Sequence, residues 1–232
     1  MDWTRFQGNN PTETAVLAVS VASAVLYLLH VRAVPSKTRM TYKTLSTLLL
    51  ACFAALRTGR LTSPLVAALA LGSLGDAFLA WPGEANFLCG LASFLVAHLF
   101  YVALFAGLGS GSGGGVGVRI IIGQDGDAWR KGVAGGMLLL APGMAAVLMP
   151  RVAGALRAPI LVYTATILTM VLAVLTVHSG TIVLGGVLFA LSDSILATEE
   201  FVVARESGHR PWMQHAVWIL YYSGQFLIAA GF

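Results

Sequence analysis

Long apolar runs separated by short polar segments dominate the chain. A membrane-crossing α-helix needs about 20 such residues, and eight runs approach this length. They predict helices over residues 14–31, 43–57, 63–81, 86–107, 133–149, 158–178, 181–198 and 213–231. We therefore expect an all-α integral membrane protein with eight transmembrane helices in a single transmembrane domain, 1–232. Seven helices are the alternative, because the second and fifth runs are short and Asp193 interrupts the seventh.

Composition supports the membrane assignment. Of the 232 residues, 57% are hydrophobic and only 10% are charged, whereas soluble domains carry about 25% charged residues. The runs lack the alternation of polar and apolar residues that a membrane β-barrel requires. Little sequence lies outside the runs, so a sizeable soluble domain is excluded, and no nucleic-acid-binding module is recognisable.

Two carboxylates interrupt the apolar pattern in nearly matching contexts. Asp76 lies in LGSLGDAFLA (71–80) and Asp193 in FALSDSILA (189–197). An ionisable group at the centre of a membrane costs roughly 2.5 to 3.5 kcal/mol on insertion scales, so the repetition predicts a paired polar site. If the two helices were neighbours, the like charges would favour a proton remaining on one carboxyl.

A Gly/Ser-rich stretch at residues 107–115 predicts a loose connector between four helices and four helices. Asp76 and Asp193 then occupy the third helix of each half. Because four spans separate these helices, both run in the same direction and hold the carboxyls at the same depth. The pattern is compatible with two parallel four-helix halves.

Polar side chains on other helices are candidates to join the carboxylates. His98 lies mid-span with Tyr101 one turn later on the same face, directly after the Asp76 helix. Tyr222 and Gln225 are three residues apart on the eighth helix, and Tyr163 lies on the sixth. The competing interpretation is structural: a helix-to-helix hydrogen bond for His98 and core packing for the tyrosines.

Four basic residues follow the first helix. Arg32, Lys37, Arg39 and Lys43 favour a cytoplasmic position for this loop. Their simplest role is to reach the lipid headgroups at the membrane surface. Lys43, expected to open the second helix, could instead bind a substrate phosphate as a point charge.

Several familiar chemistries have no sequence support. The chain contains no His-Glu-x-x-His, no Gly-x-Ser-x-Gly and no phosphate-binding Walker loop. Of the histidines, only His98 and His178 are expected inside the membrane, which argues against a three-histidine zinc site and leaves a site of two Asp and one His open. Acid–base chemistry by carboxylates, assisted by His and Tyr, is what remains.

Four motifs carry a resemblance to a known family. They are GDAFLAWP (75–82), HLFY (98–101), LFALSDSILA (188–197) and YYSGQFLI (221–228). Together they resemble the lysoplasmalogenase (YhhN-type) family, over residues 43 to 228. The resemblance implies an integral membrane enzyme that hydrolyses the vinyl ether bond of lysoplasmalogens without a metal or organic cofactor. The products would be a fatty aldehyde and glycerophosphoethanolamine or glycerophosphocholine.

The implied roles follow from the chemistry of a vinyl ether, which is cleaved after protonation of its alkene carbon. Asp76 and Asp193 would be the acid and base, and His98 would orient water or relay a proton. The substrate-binding candidates are Lys43, Tyr101, Tyr163, Tyr222 and Gln225. A lysophospholipid and membrane lipids are the expected partners. The Trp-Pro pair at 81–82 is closer to animal members, which favours the endoplasmic reticulum membrane.

Two functions of other classes use the same residues. Buried Asp, His and Tyr side chains also build the proton relays of transporters. A proton-coupled carrier or a lipid-binding membrane protein is therefore the alternative to an enzyme.

Overall fold

The computed structural model describes residues 10–58, 63–110 and 128–232, and all regular secondary structure in these ranges is helical. Most of the predicted connector lies outside them. The eight helices are α1 (Pro11–His30), α2 (Lys37–Thr58), α3 (Pro64–Leu79), α4 (Glu84–Ser110), α5 (Ala128–Leu148), α6 (Gly154–Val174), α7 (Gly180–Phe201) and α8 (Arg210–Gly231).

Each predicted run corresponds to one helix, and five of the described helices are long and apolar enough to cross a membrane. These five are α1, α4, α5, α6 and α7. The largest difference in bounds is at α2, which begins at Lys37 and places Lys43 in its second turn rather than at its start. Polar side chains in these two turns lower the hydropathy without breaking the backbone hydrogen bonds.

Local sequence explains several helix starts. The side chain of Asn10 accepts a hydrogen bond from the Thr12 backbone N–H at 3.0 Å, and Ser63 accepts one from Val66 at 3.2 Å. A proline opens α1 and α3 directly after these caps. Caps of this kind satisfy backbone donors that have no partner within the helix.

The helices pack mainly against their neighbours along the chain, with four further contacts between helices distant in sequence. α4 packs on α6, α5 packs on α7, and α8 packs on α1 and α2. The Asp76 helix α3 and the Asp193 helix α7 are not principal packing partners, since aromatic side chains of α4 lie between them. Phe94, for example, contacts Gly75 of α3 and the Phe189 ring of α7. The division into two four-helix halves stays a prediction.

Glycines let two helix pairs approach closely. A Cβ atom on Gly185 of α7 would lie 2.7 Å from the Gly224 carbonyl oxygen of α8, and one on Gly224 would lie 2.8 Å from the Gly185 oxygen. Between α3 and α4, Gly75 faces the Phe94 ring and Gly90 faces Leu79. Small residues at these crossings allow the backbone contact that drives helix association in lipid.

Candidate active site

Asp76 is buried one turn before the end of α3, where α2 and α8 meet it. Its Oδ2 accepts hydrogen bonds from the Thr47 hydroxyl at 2.9 Å and the Tyr221 hydroxyl at 2.8 Å. The Lys43 Nζ lies 3.3 Å from Oδ1. Three donors, one of them a cation, therefore compensate this carboxyl inside the protein, as buried charge requires.

Asp193 has different partners on α4 and α6. The Tyr163 hydroxyl donates to its Oδ2 at 2.8 Å. His98 Nε2 lies 3.4 Å from the same oxygen, outside hydrogen-bond geometry. The other ring nitrogen, Nδ1, donates to the Phe94 carbonyl oxygen at 2.7 Å, which directs Nε2 toward Asp193.

Both carboxyls line one polar cavity of about 660 Å³. Residues from the ends of α1 and α2, α3 and α4, and α7 and α8 form its mouth. The other charged side chains that line it are Arg39, Lys43, Glu84, Glu199, Glu200, Arg205 and Arg210. Asp76 and Asp193 form no hydrogen bond with each other in the described structure, so they share the cavity rather than a proton.

A second, almost entirely apolar cavity adjoins the first between α4, α5, α6 and α7. Its walls include Met137 and Ala141 of α5 and Ile160 of α6. The polar side chains of Tyr163, Asp193 and Glu200 line both cavities, whereas Asp76 lines only the polar one. Asp193 therefore lies where a charged compartment passes into a hydrophobic one.

In a comparison with protein families, the model of the YhhN family matches residues 38–232 of the chain. The chain belongs to the YhhN family. The match includes almost all of α2 and the whole of α3 to α8, and with them both carboxyls, which confirms the resemblance carried by the four motifs. No curated protein and no solved structure matches the chain.

The substrate-binding candidates of this YhhN-family chain fall into two groups. Lys43 and Tyr163 line the polar cavity and contact the carboxyls. Tyr101 and Gln225 are fully buried, bond to each other across α4 and α8, and line neither of the two cavities.

Tyr222 also lies outside both cavities. Its hydroxyl shares a hydrogen bond of 2.8 Å with Ser20 of α1. His98 is fully buried and lines neither cavity, yet it contacts Asp193.

Two residues that contact Asp76 were not among the sequence candidates. Tyr221 precedes Tyr222, and adjacent residues on a helix point about 100° apart, so it is Tyr221 and not Tyr222 that faces Asp76. Thr47 lies one turn after Lys43 on α2. That spacing of four residues was the available signal, because it puts both side chains on one helix face.

The donor set does not fit a metal shared by the two Asp and one His. In the part of the chain that the structure describes, no three His, Cys, Asp or Glu side chains come close enough to hold an ion. The ammonium of Lys43 already supplies positive charge to Asp76, while His98 is associated with Asp193 alone.

Proposed function

We propose that the protein is a lysoplasmalogenase, an enzyme that hydrolyses the vinyl ether bond of lysoplasmalogens. Membership of the YhhN family supports this reaction class. The observation that carries the proposal is the meeting of a polar and an apolar cavity at Asp193. In a lysoplasmalogen the vinyl ether joins the hydrocarbon chain to the polar glycerophosphate, so the reacting bond would lie at this carboxyl.

The same substrate accounts for the placement of the cavities in a membrane protein. The proposal takes all eight helices as spans, with the polar mouth at the ends of α1, α3 and α7. Basic residues of the α1–α2 loop favour the cytoplasmic side for this mouth. The lipid would enter with its chain in the apolar cavity, in a membrane of the endoplasmic reticulum.

The reaction begins with proton transfer to carbon. An acid protonates the alkene carbon farther from the ether oxygen, which gives an oxocarbenium ion. Water adds to the carbon bonded to oxygen while a base takes its proton, and the product is a hemiacetal. The hemiacetal then collapses. Its glycerol oxygen gains a proton, its hydroxyl loses a proton, and the aldehyde is released. One water molecule is consumed.

We assign the first proton transfer to Asp193 and the base role to Asp76. The donors Lys43, Thr47 and Tyr221 stabilise negative charge on Asp76, which suits a group that must attract a cation and accept a proton. Asp193 adjoins the apolar cavity, where the alkene would lie. In the collapse of the hemiacetal, Asp76 passes the proton it took from water to the glycerol oxygen, and Asp193 recovers a proton from the hemiacetal hydroxyl. His98, 3.4 Å from Asp193, assists this last transfer.

Purified Asp76→Asn and Asp193→Asn variants test the proposal. Loss of acid–base catalysis removes roughly 100- to 10,000-fold of the rate, so both should release little aldehyde from lysoplasmalogen by mass spectrometry. Glu206→Gln, which removes an exposed carboxylate outside both cavities, should keep wild-type turnover. The saturated-ether analogue should yield no aldehyde with any variant.

Near wild-type turnover in either Asp variant would remove that residue from the mechanism. If the wild-type protein binds lysoplasmalogen and releases no aldehyde, the hydrolase proposal fails and a carrier or lipid-binding role replaces it.

A further inference from the structure

Arg39 is a fixed cation at the mouth of the polar cavity. Its guanidinium donates to the carbonyl oxygens of Val31 at 3.0 Å and Ala80 at 3.3 Å, and to the Tyr27 hydroxyl at 3.3 Å. These contacts use three of its five N–H groups, leaving one on Nη1 and the buried one on Nε without a partner. All three acceptors are neutral oxygens.

The neighbouring cations are compensated by carboxylates. Lys43, one turn after Arg39 on α2, is paired with Asp76. Arg210 lies 3.4 Å from Glu199 and 3.6 Å from Glu200. Their charges are therefore largely committed within the protein.

Arg39 and Arg205 differ from these paired cations, because neither of them pairs with a carboxylate in the part of the chain that the structure describes. Arg205 is exposed on the loop after α7 and makes no fixed contact there, whereas Arg39 is half-buried and held from three directions. A guanidinium held in place loses little side-chain entropy when it binds an anion, and its free Nη1 N–H group can donate a charge-assisted hydrogen bond to phosphate.

We propose that Arg39 binds the phosphate of the lysolipid headgroup. This subsite rests on the proposed function, because it places a phosphodiester at the cavity mouth while the vinyl ether lies deeper at Asp193. It also reassigns the phosphate contact expected of Lys43. Lys43 then acts on Asp76, and Arg39 supplies the charge that recognises the headgroup.

Arg39 has a structural role as well, since Val31 and Ala80 cap the C-termini of α1 and α3, where a cation is favourable. A test must separate anchoring of these helices from recognition of phosphate. Two probes that are not hydrolysed do so: saturated-ether lysophosphoethanolamine, and the corresponding 1-O-alkylglycerol, which lacks the phosphate.

Binding of both probes to the detergent-solubilised full chain measures the phosphate contribution. Arg39→Gln should weaken the lysophosphoethanolamine roughly 10- to 100-fold, the range for a hydrogen bond to a charged group, and leave the alkylglycerol unchanged. Arg39→Lys keeps the positive charge and should show a smaller loss. Arg32→Gln is the control, because it removes a cation of the preceding α1–α2 loop that lines neither cavity.

Equal weakening of both probes in Arg39→Gln and Arg39→Lys would overturn the proposal in favour of a purely structural role. So would an unchanged affinity for lysophosphoethanolamine, or a loss of equal size in Arg32→Gln. Glycerophosphoethanolamine should compete with the intact lipid in the wild type and fail to compete in Arg39→Gln. Aldehyde release by the wild type is measured in a separate experiment. If the protein releases no aldehyde, the hydrolase proposal fails, but the binding measurements still test the role of Arg39.

Discussion

At the scale of single residues, two aspartates with nearly matching sequence contexts have acquired different surroundings. Asp76 receives two hydroxyl donors and faces the ammonium of Lys43. Asp193 receives the Tyr163 hydroxyl and lies near the His98 ring. The difference comes from residues on other helices, so the two carboxyls can serve as a base and an acid although their own segments are alike.

The hydroxyl of Tyr163 should increase turnover, because it donates a hydrogen bond of 2.8 Å to Asp193 from a different helix. Tyr163→Phe removes that bond and keeps the ring, so we expect roughly a tenfold fall in kcat, the equivalent of about 1.4 kcal/mol, with a small change in stability. The measurement is aldehyde release per folded molecule, with thermal unfolding recorded in the same detergent.

Tyr101→Phe is the matched comparison. It leaves the buried Gln225 oxygen without its partner, which costs about 1 to 3 kcal/mol of stability, yet it changes neither cavity wall. Turnover per folded molecule should remain that of the wild type. An equal loss of kcat in both variants would contradict the separation of Tyr101 from the site.

The carboxyls themselves could be predicted from sequence, because a charge in lipid is costly wherever the helix lies. The companions were harder to predict. The hydroxyls of Tyr221 and Tyr222 belong to adjacent residues, and only the packing of α8 against α2 and α3 brings Tyr221 to Asp76 and Tyr222 to Ser20. Arg39 was attributed to the membrane surface because the sequence shows a charge without its neighbours.

At the scale of elements, hydropathy located every described helix but shortened α2 and α7, two of the helices that line the polar cavity. α2 begins six residues before its apolar run, and α7 continues through Glu199 and Glu200 to Phe201. Hydropathy averaged along the sequence treats each side chain as if it faced lipid. A predicted helix therefore omits terminal turns whose charged side chains point into the protein.

The crossing of α7 and α8 predicts a sharp sensitivity to side-chain size. Gly224→Ala would place a methyl 2.8 Å from the Gly185 carbonyl oxygen, so one helix must shift, and overpacking of this kind costs roughly 1 to 3 kcal/mol. Thermal unfolding in detergent should show a lower midpoint. Asp193 is on α7 and Tyr221 on α8, so turnover per folded molecule should fall as well.

Gly136→Ala provides the control within α5. A Cβ atom there meets nothing within 4 Å, and alanine favours a helix over glycine by about 1 kcal/mol. Its midpoint should be unchanged or higher. If both variants unfold alike, the close backbone crossing of α7 and α8 is not a determinant of stability.

At the scale of the whole molecule, the cavities exist because three helix–loop–helix ends converge while α8 closes against α1 and α2. The helices and their polar positions could be predicted from the sequence, but the packing of α8 against α1 and α2 could not. A proton shared by the two Asp carboxyls would have required α3 and α7 to be neighbours, and aromatic side chains of α4 lie between these helices. The carboxyls instead line one cavity, which under the proposed function admits the substrate.

The apolar cavity should set the preference for chain length if it holds the hydrocarbon. Ala141→Phe would project a large side chain into it from α5. We expect kcat/KM to fall about tenfold or more for a long alkenyl chain, because filling the space removes contacts that each CH₂ would make, at about 0.8 kcal/mol per buried CH₂. Short-chain substrates should be affected much less. The check is a competition assay with substrates of graded length.

Ala146→Phe makes the same change on an exposed face of α5 and lines neither cavity, so it should leave the length profile unaltered. A parallel loss for all chain lengths in Ala141→Phe would mean that the substitution distorts the site rather than shortening the compartment. If the profile moves with Ala141 and not with Ala146, the chain lies between α4, α5, α6 and α7. The vinyl ether of the proposed substrate would then lie where the two cavities meet, which is where Asp193 lies.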